Sequence, residues 1–209
     1  MIEYTQSDMP LSTAAEAAVQ YAPRKIWTFE EYINTEEFEE RKHEFHNGKR
    51  TAMAGATRQH NLLTLNMGTA INNVLNDRDD EKTEVYSSDM NVFIPAINKS
   101  LYPDVTVAAE EPIMKHKHVM RNPTLLVEVL STSTAAYYKG DKFDYYKTLP
   151  SFREYVLVSQ KKPIVEVFYR ETADSEWQST CIEGLEGTVQ LRSIGCTLKM
   201  KDIYRRVFK

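Results

Sequence analysis

Leu125-Leu126-Val127-Glu128-Val129-Leu130 is apolar on both of its alternating faces except for one carboxylate. That pattern belongs to a strand covered on both sides in the middle of a sheet. Tyr102-Pro103-Asp104-Val105 opens a second apolar run, Leu101 to Ala108 taken whole, again with a single acid. Period-two geometry puts Val127 and Val129 on the face opposite Glu128 and lets both acids point to one edge. A buried carboxylate without a partner is costly enough that it neutralises, pairs with a cation or binds a metal. A divalent ion shared by Asp104 and Glu128 satisfies both, and hard carboxylate oxygens suit Mg²⁺ or Mn²⁺. The alternative is that one acid pairs with a Lys or Arg and the other is exposed at a strand end.

The remaining elements follow from periodicity and punctuation. Thr28, with Glu31 three residues on, predicts a capping box and a helix running to about Glu40. A further helical turn or two through Arg41, His43 and Glu44 is expected to end at Asn47-Gly48, followed by a strand from Lys49 to Ala54. Leu62, Leu63, Leu65, Met67, Ile71, Val74 and Leu75 recur at helical spacing and predict a helix from His60 to about Asn76. Glu84–Tyr86 and Met90–Ile94 read as short strands, and Lys115 to Arg121 as a basic, His-containing loop. A helix capped by Ser133 or Thr134 should run through Lys147 to a stop at Leu149-Pro150. Alternation in Glu154–Ser159, Ile164–Tyr169, Trp177–Ile182 and Thr188–Leu191 predicts a C-terminal antiparallel meander, and Met200–Tyr204 a last helical turn.

The sum is an α/β (α+β) domain with a mixed sheet flanked by helices, expected over residues 24–209 behind a weakly ordered arm at 1–23. A chain of 209 residues buries a core without disulfides or structural metal. Cys181 and Cys196 lie far from any partner at ligand spacing and point to the reduced cytoplasm. Residues 1–21 lack the basic start and apolar core of a signal peptide, and no run reaches membrane-spanning length. A net charge of −4 argues against a generic basic coat for nucleic acid. It leaves room for a carboxylate-rich site whose cation meets a phosphate.

Several other side chains could take part in such chemistry. Lys142, on the helix after Glu128, offers an ammonium group near the two acids, and Tyr146 one turn on shares its face. Glu44 is a third acid just before a turn, and His60 stands at the start of the strongest helix, where an anion is favoured. Each has an ordinary structural alternative: a solvated lysine, or a capping or core-edge histidine. The chain holds no phosphate-cradling glycine loop, zinc-protease helix, nucleophile elbow or paired-cysteine motif.

Trp27-Thr28-Phe29-Glu30-Glu31-Tyr32, Arg41-Lys42-His43-Glu44-Phe45 with Asn47-Gly48, Met53-Ala54-Gly55 and Gln59-His60-Asn61 occur in an order that resembles the Uma-type restriction-endonuclease family. The likeness continues through Ser88-Asp89-Met90, Tyr102-Pro103-Asp104-Val105, Val127-Glu128-Val129-Leu130-Ser131, Lys142-Phe143 with Tyr146, and Leu149-Pro150-Ser151 to Glu154-Tyr155. It spans roughly residues 25 to 170.

That resemblance implies a PD-(D/E)XK nuclease fold with a metal site at the central strands. It makes Asp104 and Glu128 ligands of Mg²⁺ or Mn²⁺ and matches Glu44 to a supporting helix acid. Position 130, a lysine in many nucleases of this kind, is Leu130, and the resemblance implies that Lys142 takes its place. Tyr138 and Lys49 depart from the pattern, standing where acids are usual. The implied activity is metal-assisted hydrolysis of DNA, with His60 and Tyr146 near the substrate. A homodimer would cut both strands, and a partner protein could supply specificity. The alternative is a catalytically silent protein of the same fold that binds nucleic acid or serves regulation or oligomerisation.

Overall fold

The computed structural model describes residues 25–131 and 137–208. The arm expected at 1–23 and the cap expected at Ser133 or Thr134 lie outside them.

The first helix, α1 (Phe29–Glu36), starts in the expected capping box: the Glu31 N–H donates to Thr28 Oγ1 (3.1 Å) and the Thr28 N–H to Glu31 Oε2 (2.8 Å). It stops at Glu36 rather than near Glu40, and the predicted continuation through His43 and Glu44 is instead a strand, β1 (His43–His46). The cause is the turn that follows. Asn47 and Gly48 both have positive φ, 45° and 84°, and join β1 to β2 (Lys49–Ala52) in a two-residue hairpin, which requires a strand on each side. The buried ring of Phe45 stacks on Tyr32 of α1 with centroids 5.0 Å apart. Glu44 therefore reaches the site from a strand.

After α2 (Arg58–Asn76) come β3 (Glu84–Tyr86), β4 (Asn91–Ile94), β5 (Lys99–Leu101), β6 (Val105–Ala108), β7 (Met114–His116), β8 (Val119–Met120) and β9 (Leu125–Leu130). The strand predicted over 101–108 is thus two strands. Pro103, which lacks an N–H, interrupts the ladder, and the chain passes from one sheet to the other at Asp104. The loop predicted at 115–121 holds the β7–β8 pair, whose Val119 and Met120 are fully buried. A π-helical turn at Tyr138–Lys142 leads into α3 (Phe143–Lys147). Then follow β10 (Glu154–Ser159), β11 (Ile164–Tyr169), β12 (Gln178–Glu183), β13 (Thr188–Leu191), β14 (Cys196–Lys199) and α4 (Met200–Ile203).

One six-stranded sheet has the order β12-β11-β10-β9-β6-β3, mixed because β9 and β10 run parallel while the other neighbours are antiparallel. The antiparallel meander comprises β10, β11 and β12 only. Its expected fourth strand, β13, pairs instead with β14 in a separate hairpin. A second six-stranded sheet, β2-β1-β5-β4-β8-β7, is also mixed.

The apolar run of β9 is explained by the layers on either side. Leu125, Val127 and Val129 pack with Val105, Val107 and the Leu63-Met67-Ile71-Leu75 stripe of α2. Leu126, on the other face, joins Phe143, Tyr146, Phe152 and Tyr155 and the Val92, Ile94 and Leu101 side chains of the second sheet. Burial of each such side chain contributes about 1.5–3 kcal/mol. Glu128 shares this second face with Leu126, between the two sheets. Among the described residues no helix is long and apolar enough to cross a membrane.

Candidate metal-binding acid site

Strand pairing brings the two acids together. Val105 lies opposite Val127 in the antiparallel β6–β9 ladder, and the Asp104 N–H extends it by donating to Val127 O (3.1 Å). Asp104 is 8% exposed and Glu128 1%. The Val129 N–H donates to Asp104 Oδ2 (2.7 Å), while His60 Nε2 lies 2.7 Å from Oδ1. His60 is the third residue of α2, and its own N–H is taken by the Thr57 cap at 3.1 Å. His60, expected to contact a phosphate at the helix start, bonds in this structure to the Asp104 carboxylate.

Glu128 is held from the opposite layer. Lys142 Nζ lies 2.7 Å from Glu128 Oε1 and 3.5 Å from Glu44 Oε1. The Tyr146 hydroxyl donates to the same Oε1 at 3.1 Å, one helical turn beyond Lys142. Tyr146, which the sequence had placed near the substrate, is fully buried with its hydroxyl bonded to Glu128. The ring of Tyr138, one of the departures from the resemblance, lies 4.6 Å from Lys142 Nζ. The six residues singled out in the sequence thus fall into two contact groups, His60 with Asp104 and Glu128 with Lys142, Glu44 and Tyr146, linked through the Val129 N–H, with Glu128 taking the paired alternative rather than the exposed one.

The electrostatics are short of positive charge. Burial, with the Asp104 and Glu44 charges adding to it and Lys142 opposing, pushes the Glu128 carboxyl up to about 8. For Lys142 burial works against the charged form, but Glu128 and Glu44 outweigh it and hold the ammonium above its usual range. Burial, then the Glu128 charge, likewise keeps the Tyr146 phenol protonated and donating. Fully ionised, Asp104, Glu128 and Glu44 outnumber Lys142 and the neighbouring Lys99, a deficit that a cation would fill. The donors fit such a group. The Lys142 and Tyr146 contacts with Glu128 both fall on Oε1. Among the described residues no cluster of three or more His, Cys, Asp or Glu side chains can hold a metal alone. Mg²⁺ binds through one or two carboxylates and keeps several waters and substrate oxygens.

A groove of about 1040 Å³ lies elsewhere, bordered by Ile113, Asn122, Pro150, Tyr169 and Arg192, and includes none of the six. Sequence reasoning missed Lys99, a buried lysine beside Glu44, because nothing in Asn98-Lys99-Ser100 signals burial.

Residues 29–201 match the Uma2 family, described as "Putative restriction endonuclease". The uncharacterized protein sll1609 of Synechocystis sp. (strain ATCC 27184 / PCC 6803 / Kazusa) is 37% identical over 171 residues, 81% of this chain and 94% of that protein. A second protein of the same organism, slr1290, is 31% identical over 176 residues, 84% of this chain and 90% of the other. The crystal structure of a protein from Anabaena variabilis ATCC 29413, described as "a putative nuclease belonging to DUF820", superposes with a TM-score of 0.68. It is 15% identical and covers 87% of this chain and 99% of its own. This likeness shows the nuclease fold.

Proposed function

The chain belongs to the Uma2 restriction-endonuclease family, and from that premise we propose that it is a divalent-metal-dependent endonuclease hydrolysing DNA phosphodiester bonds. The observation that carries this reading is the acid pair on adjacent antiparallel strands with a fully buried lysine 2.7 Å from one member.

Asp104 and Glu128 would hold Mg²⁺ or Mn²⁺, which when bound supplies Lewis-acid activation of a water for in-line attack on phosphorus. Lys142 offers a fixed, desolvated positive charge to the phosphoryl oxygens as their charge grows, which is how preorganised cations lower such barriers. Glu44 holds that ammonium from the second side, at 3.5 Å. Tyr146 keeps Glu128 turned toward Lys142, and His60 fixes Asp104 Oδ1, so both are positioning residues. A homodimer would place two such sites on opposite strands, with a partner protein able to add specificity. Two free cysteines, one of them exposed, fit a cytoplasmic setting.

One observation favours the rival, a silent nuclease fold: Lys142 and His60 already bond to one oxygen of each acid. Calorimetric titration of Mn²⁺ and Mg²⁺, followed by cleavage of supercoiled DNA, separates the two. Wild-type binding that is lost in Asp104→Ala and in Glu128→Ala, together with cleavage abolished by both, supports the enzyme. Intact DNA at every metal concentration, with or without metal binding, supports the silent protein.

A further inference from the structure

Lys99 is only 6% exposed, yet among the described residues no carboxylate lies within ion-pairing distance of its ammonium, which makes no side-chain hydrogen bond. A buried cation left this way is costly, so its presence needs an explanation. Its ammonium sits 3.8 Å from the centroid of the Tyr145 ring, which compensates in part. Glu44 attracts Lys99, but Glu44 is committed to Lys142.

The register shows where Lys99 lies. In the β1–β5 ladder it pairs with His46, and His46 is two residues from Glu44, so all three share one face. In the β4–β5 ladder Lys99 pairs with Ile94, whose side chain lines the core shared with Tyr146. Lys99 therefore borders the acid site on its Glu44–Lys142 side. The exposed ring of His46 lies beside it, 6.0 Å from the Tyr145 ring, and Lys49 follows at the rim of the hairpin. Burial, then Lys99 and Lys49, work against a positive charge on His46, a conflict that an anion would relieve.

We propose that Lys99, with His46 across the strand pair and Tyr145 against its ammonium, forms a subsite for the DNA phosphate next to the one being cut. The proposal rests on the endonuclease reading and adds the direction in which the strand leaves the acid pair, along β1 and β5.

The test is binding of a fluorescein-labelled DNA duplex by the full chain in Ca²⁺ across a salt series, with cleavage kinetics in Mg²⁺. Lys99→Gln should weaken binding about tenfold and make the slope of log K against log salt shallower by about 0.9, one phosphate contact. Lys99→Arg should keep both. Lys82→Gln, on an exposed lysine beyond the far end of α2, should change neither. With its unpaired charge removed, the DNA-free Lys99→Gln protein should melt no lower than wild type. Unchanged affinity and slope in Lys99→Gln overturn the subsite, as does a lowered melting temperature accompanying weaker binding. If wild type binds DNA in this Lys99-dependent way but cuts none, the subsite stands and the endonuclease reading falls. If wild type cuts and Lys99→Gln keeps its KM and slope, the subsite falls alone.

Discussion

Lys142 Nζ lies 2.7 Å from Glu128 Oε1, and each side chain is 1% exposed. Removing one partner of a buried ion pair costs about 3–5 kcal/mol when the other stays charged. Here the stranded acid can escape that cost, because burial already pushes Glu128 up to about 8 and it takes a proton. Lys142→Met should therefore lose less stability than that range in urea denaturation at pH 7. Single-turnover cleavage should fall by about 10²–10³-fold, the cost of deleting one preorganised charge. A wild-type rate in this variant would remove Lys142 from the chemistry.

The same acid sets a pH dependence. The folded-state value of about 8 lies above the ordinary 4.5, so between them the folded protein holds a proton that the unfolded chain has lost. Metal-free stability should decline as pH rises from about 4.5 to about 8, by no more than about 1.4 kcal/mol per pH unit, and then level off. Glu128→Gln should flatten the decline. Mg²⁺ must displace that proton, so its affinity should climb over the same window, with proton release visible as a buffer-dependent heat. A flat profile in wild type would contradict the assignment.

His60 Nε2 and the Val129 N–H hold the two oxygens of Asp104, each at 2.7 Å. A neighbour that orients a ligand typically accounts for a 10–100-fold effect on metal affinity. His60→Ala should weaken Mn²⁺ binding by about that factor, less than Asp104→Ala, which should abolish it. Tighter binding in His60→Ala would show instead that the imidazole competes with the ion.

The acid pair was legible because a carboxylate in an apolar run has few reasons to be there, and α2 because four turns of apolar spacing leave no other reading. Glu44 was placed on the wrong element. The charged segment before Asn47 carries no clean period, and its strand character comes from the hairpin turn and from Phe45 meeting Tyr32. The β7–β8 pair was hidden for a similar reason: Lys115 and Lys117 look like a solvated loop but reach Glu30 and Glu37 at the two ends of α1. No local pattern reports that β13 leaves the meander, since its partner, β14, lies beyond a turn closed by Gly195 at φ 61°. Lys99 is the clearest case, an ordinary lysine whose burial exists only once three strands and Tyr145 surround it.

Gly48 ties the Glu44 hairpin to the chain entering α1. Its φ of 84° is disfavoured for residues with a Cβ, and a Cβ there would come 2.5 Å from Ile26 Cγ2 and 3.3 Å from the Trp27 carbonyl oxygen. The Gly48 carbonyl also accepts the Trp27 N–H at 3.0 Å. Gly48→Ala should lower stability by about 1–2 kcal/mol from the backbone alone. Thermal melting measures this, and an unchanged Tm would mean that the hairpin can adopt another turn.

Arg170 fastens the end of α3, the helix that follows Lys142 and carries Tyr146. Only 6% exposed, it donates from Nε to Phe152 O (2.9 Å), from Nη1 to Ala173 O (2.8 Å), and from Nη2 to Leu149 O (2.9 Å) and Lys147 O (3.3 Å). Its guanidinium also faces the Trp177 ring at 4.9 Å. Lys147 closes α3, and Leu149 and Phe152 lead from it into β10, so one side chain pins the return of the crossover to the sheet. A lysine cannot reproduce this fork; Leu149 O keeps the Phe152 N–H (3.2 Å) and Phe152 O the Arg153 Nη1 (3.3 Å), and each buried carbonyl left without a donor costs about 1–3 kcal/mol, not additively. Arg170→Lys should therefore lose at least about 2 kcal/mol. Its amide hydrogen exchange should quicken at 143–149 while the β9 amides stay protected, because the loss begins at the end of α3 and not in the sheet. Equal acceleration in β9 would show that Arg170 supports the whole fold rather than the end of α3.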